Sequence, residues 1–416
     1  MNKETKSVLP FDVFSQEFKT NPYPVYAHLR DHAPVYRTEL PDGQGMWLIT
    51  RYADVMSVMK DNRFVKDIRN ALTKEEFEQI PRKPEVLEQF SQNMLDLDVP
   101  DHTRLRTLVH KAFTPRYIDQ LHDRIEQIID ELLDTMEGEE EVDLIHSFAY
   151  PLPITVIAEL LGIPPEDKNQ FRAWSDDLVA GSGVLDLDDS QLAISVALAE
   201  YFRKLFAIRR NEPQDDLISA LVQVEEQGDR LNESELLAMA VLLLIAGHET
   251  TVNLLGNGML TLFQHPEQME KLKGDLSLIP GAVEEMLRFS SPVEMATPRF
   301  TSEAVELNGT IIPRGEMVML VLASANRDPE QFPNPEIMQI DRQENRHLAF
   351  GMGIHFCLGS PLARLEGQMA FTALLKRFPN LQLKVPVEEL IWRSNLVLRG
   401  LEKLPVVLTD NMYKGL

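Results

Sequence analysis

A mainly α chain with small β-sheets is the fold class the sequence predicts, on three observations. Apolar residues recur at three- and four-residue spacing through most of the middle of the chain. Short runs rich in Val, Ile, Tyr and Trp, broken by Pro, Asn and Gly turns, lie toward both ends. No strand alternates with helix in the manner of a doubly wound parallel sheet.

The first β region is a hairpin, Pro34-Val35-Tyr36-Arg37 and Met46-Trp47-Leu48-Ile49, turned by Pro41-Asp42-Gly43. Pro100-Asp101-His102 starts a helix. Thr114-Pro115 caps the next, whose apolar stripe runs Ile118, Leu121, Ile125, Ile128, Ile129, Leu132 and Met136. Further helical patterns occupy roughly 151–161, 166–180, 190–210, 215–225, 233–263 and 266–290. A second β region holds Val305-Glu306-Leu307, the turn Asn308-Gly309, Thr310-Ile311-Ile312 and Met317 to Val321. Two late strands are expected near 396–399 and 405–408.

At 416 residues the chain exceeds the usual size of one core, so length allows two domains or one large one. No linker, low-complexity tract or solenoid-period repeat divides it, which favours a single domain over 1–416. Its expected parts are β-containing segments at about 30–60 and 300–325, a helical body at about 95–290 and a glycine-rich loop at 350–359. The acidic run Glu137 to Glu141 reads as a solvated loop.

The 41 basic and 65 acidic residues give a formal charge of −24, which repels phosphate backbones and anionic lipid and excludes nucleic acid as a partner. The polar start MNKETKSVLPFDVFSQEFKT carries no export signal. The longest apolar run, Leu236 to Gly247, falls short of the roughly 20 residues of a membrane span and reads as a buried helix. One cysteine makes no internal disulfide and no multi-cysteine metal cluster. Together these point to a cytoplasmic protein that does not engage a membrane.

Four groups of residues carry possible chemistry. In Phe350-Gly351-Met352-Gly353-Ile354-His355-Phe356-Cys357-Leu358-Gly359, the sole thiol follows two glycines and opens onto the helix-like Ser360-Pro361-Leu362. Glycines admit tight turns and close approach, and a helix start favours a thiolate. A lone cysteine is otherwise a small buried residue with no chemistry. Ala246-Gly247-His248-Glu249-Thr250-Thr251 sets polar groups inside the apolar helix. Read alone, Thr250 would bond back to the carbonyl one turn earlier and Glu249 would point outward. A zinc-protease reading fails, because the second histidine it needs at 252 is Val252. Glu285 and Arg288 stand at i and i+3, a spacing common on exposed helices. His102 and Arg106 share a helix face, as a solvated basic helix end would.

The cysteine segment resembles the haem-binding signature of the cytochrome P-450 superfamily, and Phe350, Gly353, His355, Cys357 and Gly359 fill every position of it. Ala246 to Thr251 is similar to the superfamily's distal-helix motif. Glu285-Met286-Leu287-Arg288 matches its Glu-x-x-Arg motif, with Arg342 where a second arginine completes a buried network. The resemblance runs from about Phe14 to Leu408, with the motifs in family order. It implies the cytochrome P-450 fold, with haem b (iron protoporphyrin IX) bound non-covalently between the distal helix and the Cys357 loop.

By that resemblance Cys357 is the axial iron ligand, and His355, His102, Arg106 and Arg299 hold the haem propionates. Phe350, Gly351, Gly359, Ala246 and Gly247 line the cofactor. Glu249 and Thr250 deliver protons, and Glu285, Arg288 and Arg342 are structural. Substrate contacts are expected from Leu243, Ala246, Val293, Ala296, Thr297, Leu396 and Val397, and from residues 65–90 and about 170–190.

The implied activity is a monooxygenase that inserts one atom of O2 into a lipophilic small molecule. Electrons come from a separate ferredoxin or flavodoxin with an NAD(P)H-dependent reductase, since too little chain follows Cys357 for a fused one. Arg104, His110, Lys111, Arg116 and Arg364 are a candidate docking patch for an acidic ferredoxin. A monomer is expected. The alternatives are a peroxide-driven peroxygenase and a non-catalytic haem-thiolate sensor.

Overall fold

The computed structural model describes residues 11–408 apart from 42, 114–117, 119, 172, 175–188 and 225–227. Its first part sets helices α1 (Gln16–Thr20), α2 (Tyr23–His32) and α3 (Tyr52–Lys60) around strands β1 (Val35–Glu39), β2 (Gly45–Ile49) and β3 (Phe64–Val65). The helical body follows as α4 (Lys74–Phe77), α5 (Glu85–Phe90), α6 (Asp101–Ala112), α7 (His122–Met136), strand β4 (Glu141–Asp143), α8 (Pro151–Leu160), α9 (Asp189–Asn211), α10 (Leu217–Gln223), α11 (Glu233–Gln264), α12 (Pro266–Gly274) and α13 (Ile279–Phe289). The last part holds β5 (Arg299–Thr301), β6 (Val305–Leu307), β7 (Thr310–Ile312), β8 (Met317–Leu320), α14 (Leu322–Ala325), α15 (Ser360–Arg377), β9 (Gln382–Leu383) and β10 (Pro405–Val407).

The expected hairpin forms, with Val35 opposite Ile49 and Glu39 opposite Gly45. It joins a mixed five-stranded sheet in the order β1-β2-β8-β5-β3, in which only β2 and β8 run parallel. Asn308 and Gly309 both take positive φ, as a two-residue hairpin turn between β6 and β7 requires. Two distant stretches of sequence thus build one sheet, which carries Arg299 on β5.

The helices begin and end where local chemistry directs. Asn232 and Glu235 close a capping box at the start of α11, satisfying backbone donors that the first turn leaves unpaired. On α7 the buried residues Ile125, Ile128, Ile129, Leu133 and Met136 form a single stripe against the core. The expected helix over 266–290 is two helices. α12 ends at Gly274, and Asp275 accepts from the Ser277 amide at 3.0 Å to turn the chain before α13. Strand 405–408 forms as β10, whereas 396–399 is a turn tied down by a single bridge between Val293 and Leu398. The Thr114-Pro115 cap lies outside the described residues, as do residues 172 and 175–180 of the expected 166–180 helix, whose described part is helical at 168–171 and 173–174 after a 3-10 turn over Pro165–Asp167.

The 32-residue α11 is long and apolar enough to cross a membrane, but 67% of its apolar window is buried inside the protein. Its neighbours are α5, α8, α13 and α15. Its residues Leu236, Leu237, Met239 and Leu244 belong to the large helical core, which also takes in Phe371 and Leu374 of α15.

Candidate active site

Cys357 sits between a glycine-bearing loop and the start of α15. Gly351 (φ 67°) and Gly353 (φ 74°) hold conformations that side chains resist, and a Cβ on Gly353 would come within 3.3 Å of the Met59 carbonyl. The loop closes on itself through Gly351 N to Leu348 O at 2.8 Å and Cys357 N to Phe350 O at 2.9 Å. Burial pushes the thiol pKa up, opposed first by the Gly359 amide and then by Arg106 and Arg364. The amides at the start of α15 and two cations therefore favour the thiolate, against the cost of desolvation.

The loop is buttressed from behind. Arg364 stacks over the Phe350 ring at 4.4 Å and donates to Glu284 at 2.6 and 2.9 Å, while His347 meets the same carboxylate at 3.0 Å. Burial would raise the Glu284 pKa, but its bonds to His347 and Arg364 win and hold it at about 2.

Beside the loop, basic side chains converge from four chain segments. His102 and Arg106 come from α6, Arg299 from β5, His355 from the loop and Lys66 from the residue after β3. The His102 and His355 rings lie 4.4 Å apart. His355 is depressed to about 2 by burial and then by Arg299, Lys66, His102 and Arg106. Burial and then Arg299 lower Lys66 to about 7, and burial also lowers Arg299, Arg106 and His102. Asp96 and Asp98 are the near acids, and Asp98 spends its carboxylate on the amides of Lys66 and Asp67 at 2.8 and 3.0 Å.

Neither ring nitrogen of His102, itself 2% exposed, has a hydrogen-bond partner of good geometry, and Arg299 Nε has none. Buried donors left in this state are costly, and like charges crowd one another. A dianionic ligand bearing two carboxylates would satisfy both deficits. The residues present therefore fit the haem that the sequence resemblance implies, with the thiol on one side and cations at one edge.

On α11, Leu243, Gly247 and Thr250 are half-buried and Ala246 is exposed, one open face on an otherwise buried helix. A Cβ on Gly247 would meet Ile157 Cδ1 at 2.9 Å, so α11 packs closely on α8 here and a larger residue would have to shift the end of the Ile157 side chain. Thr250 Oγ1 donates to the Ala246 carbonyl at 3.1 Å, the local bond the sequence suggests. Glu249 does not point outward. It is 2% exposed, and its Oε1 accepts from Nη1 of Arg393, a side chain 29% exposed. His248 is a satisfied core histidine, its Nδ1 2.8 Å from the Leu244 carbonyl.

The expected wall residues Val293, Ala296, Thr297 and Val397 are half-buried. Leu396 is fully buried and packs in the N-terminal cluster with Phe18, Tyr26 and Met295. Residues 175–188 of the expected wall lie outside the described residues.

Arg288 donates to Glu285 through Nε and Nη2, each at 2.8 Å, and Arg342 Nε reaches the same carboxylate at 3.2 and 3.1 Å. The remaining guanidinium donors end on the carbonyls of Asn326, Pro333, Pro335 and Ile337.

The candidate docking patch is less open than its residue types suggest. Arg104 is paired with Asp229 and Glu235, Arg364 with Glu284, and Arg116 lies outside the described residues. His110 and Lys111 remain on the rim of a cavity of about 550 Å³ shared with His102, Arg106 and Ile354. Three groups had no signature in the sequence: Lys66, Arg393, and the fully buried Glu366 of α15, which burial lifts to about 8. Each acquires its setting from residues remote in the chain.

A thiol poised at a helix start, beside a cation cluster suited to a dianion, defines a cofactor-dependent protein. Comparison with known proteins agrees. The family model described as Cytochrome P450 matches residues 193–392. The polyketide biosynthesis cytochrome P450 PksS of Bacillus subtilis is 49% identical over 405 residues, covering 96% of this chain and 99% of that protein. Its solved structure superposes with a TM-score of 0.89 over 96% of this chain and 100% of that one, at 47% identity. The vitamin D(3) 25-hydroxylase of Pseudonocardia autotrophica is 48% identical, covering 95% of this chain and 96% of that one. The cytochrome P450 monooxygenase PikC of Streptomyces venezuelae is 46% identical, with 96% and 94% covered. The chain belongs to the cytochrome P450 family. It is a monooxygenase of bacterial type, and the family implies a haem-thiolate centre.

Proposed function

We propose that this single-domain protein binds haem b non-covalently and hydroxylates, or otherwise oxidises, a lipophilic organic molecule. The observation that carries the reading is the cation cluster beside Cys357, where neither nitrogen of the buried His102 makes a well-formed hydrogen bond. When bound, haem supplies thiolate-ligated iron at which O2 is activated for insertion of one oxygen atom. Cys357 would hold the haem iron through its thiolate, whose electron donation would suit the bound group to oxygen activation. His102, Arg106, Arg299 and His355 hold the two propionates, and Lys66 adds charge to the same edge.

Proton supply falls to α11. Glu249 is the one carboxylate set in its apolar middle, and Arg393 links it toward solvent. Moving the Arg393 side chain outward would free Glu249 to accept a proton and pass it, through ordered water, toward the Thr250 hydroxyl. Thr250 would relay it, its Oγ1 accepting that proton as the hydroxyl turns from the Ala246 carbonyl and gives up its own toward the open face of the helix. Leu243, Ala246, Val293, Ala296, Thr297 and Val397 offer an apolar, small-residue lining that suits a lipophilic substrate and excludes bulk water. Polyketide-like and secosteroid molecules head the substrate panel, following the names of PksS and the vitamin D(3) 25-hydroxylase. A ferredoxin or flavodoxin with an NAD(P)H-dependent reductase delivers electrons to a cytoplasmic monomer.

The deciding experiment is the visible spectrum of the reduced protein under carbon monoxide. A strongly red-shifted Soret band is expected, and Cys357→Ser should abolish it; an unaltered band in that variant would remove Cys357 as the ligand. Thr250→Ala should keep the band while diverting reducing equivalents to hydrogen peroxide. Unchanged coupling of NAD(P)H consumption to product would take Thr250 out of the mechanism.

A further inference from the structure

Outside the motifs, a further buried charge cluster ties the N-terminal helices to the proposed pocket wall. Glu294 is 0% exposed, and its carboxylate accepts from Lys19 Nζ at 2.9 Å and from Tyr26 Oη at 2.5 Å. Lys19 is 1% exposed, and its carbonyl accepts from Arg399 Nη1.

Glu294 belongs to the wall segment 293–297, and Arg399 follows the wall residues Leu396 and Val397, two positions beyond the latter. The two stretches are joined by Glu294 N to Val397 O at 2.8 Å, Arg399 N to Pro292 O at 2.9 Å and the Val293–Leu398 bridge. Arg399 also lies over the Trp392 ring at 3.7 Å, and its carbonyl accepts from Asn257 of α11 at 2.8 Å. One residue of α1 thereby grips both segments, through its side chain on one and its carbonyl on the other, at the point where they also meet the central helix.

Alternation along the chain converts this grip into pocket geometry. Glu294 and Met295 point into the protein, while Val293, Ala296 and Thr297 on either side of them stay half-buried. Displacing Glu294 therefore displaces its neighbours on the open side. A buried ion pair is a poor source of net stability, because desolvation offsets its attraction, but it penalises every arrangement that separates the charges. It therefore suits holding a position better than strengthening a core.

We infer that Lys19, with Glu294 and Tyr26, is a positioning residue that sets the shape of the substrate pocket from outside it. The inference rests on the proposed reading that segments 293–297 and 396–397 line that pocket.

The test uses haem-loaded protein and two iron-binding probes read by difference spectra: imidazole, which reports access to the iron, and ketoconazole, which must also fit the walls. Lys19→Met should weaken ketoconazole binding by about tenfold, as small displacements of positioning groups do. Imidazole affinity and the carbon monoxide band should stay as in the wild type, and Lys19→Arg should restore ketoconazole. If Lys19→Met does not accumulate, the double variant Lys19→Met/Glu294→Gln removes both charges and keeps a partner for Tyr26, with the same expectation.

Wild-type affinity for both probes, or parallel loss of both, would overturn the inference and leave the cluster a purely stabilising role. Ala296→Trp is the control on the underlying reading. If it leaves ketoconazole binding unchanged, the wall assignment falls and the positioning role falls with it. If it impairs ketoconazole while Lys19→Met does not, only the positioning role is lost.

Discussion

Two buried charge clusters in this protein follow opposite rules. Around Glu285, one carboxylate meets two guanidinium groups, and the spare donors end on backbone carbonyls, so the cluster is closed. Around His355, five basic groups face one another with Asp96 and Asp98 as the near acids, and three nitrogens on His102 and Arg299 lack a well-formed hydrogen bond. The charged side chains of the first are buried and those of the second only in part, Arg106 and His355 being half-buried, and the two differ further in completeness. A closed cluster is explained by the fold alone, whereas an open one of a single sign points to a ligand of the other sign.

The sharpest way to break this contrast is to open the closed cluster. Glu285→Ala leaves Arg288, 0% exposed, without its counter-charge and should cost about 3–5 kcal/mol, seen as a lower urea midpoint and loss of haem-loaded protein. Comparable stability in the variant would show that the carbonyls suffice.

In the open cluster the corresponding change acts on the ligand. Arg299→Met should speed haem transfer to apomyoglobin by about tenfold or more while the urea midpoint falls far less than in Glu285→Ala. Equal losses in both assays would erase the distinction between the two clusters.

A smaller effect belongs to Glu284, which braces the Cys357 loop through His347 and Arg364. Its folded pKa, about 2, lies below the usual carboxylate value of 4.5. The unfolded chain therefore takes up a proton first as pH falls. The stabilisation is complete above pH 4.5 and disappears as pH drops toward 2. Glu284→Gln should lower stability by roughly 1–3 kcal/mol at neutral pH. The gap between variant and wild type should close below pH 4.5 in urea titrations. A gap that stays constant to pH 3 would assign the effect to packing.

These clusters also mark how far the residues alone could be read. Glu285, Arg288, His102, Arg106 and Cys357 were legible because each sits in a short motif whose spacing follows from one helix or one loop. The hairpin at Asn308-Gly309 and the stripe on α7 were legible for the same reason. The split of 266–290 was missed because Gly274-Asp275 is a weak break inside a strong apolar period, and the capping bond from Ser277 decided it. The 396–399 segment has strand-like composition, but it finds only one bridging partner and remains a turn.

Lys66 shows the limit most plainly. Nothing in Phe64-Val65-Lys66-Asp67 distinguishes this lysine from a solvated one, yet its ammonium is buried on Thr297 Oγ1 at 2.5 Å and the Pro298 carbonyl at 2.8 Å, beside Arg299. Arg393 reaches Glu249 across 144 residues of chain, and Lys19 reaches Glu294 across 275.

By itself the sequence determined the helical class, the largely buried helix α11 with its polar insert, the thiol at the head of α15 and the family to which all of these belong. Local spacing and turn chemistry settle such features. Only the tertiary structure decided which cations crowd one edge of the site, that Glu249 is held by Arg393, and that Lys19 grips two wall segments. The physical reason is that charge pairing and burial are set by distance in space, and the partners come from segments whose spacing along the chain carries no trace of their contact.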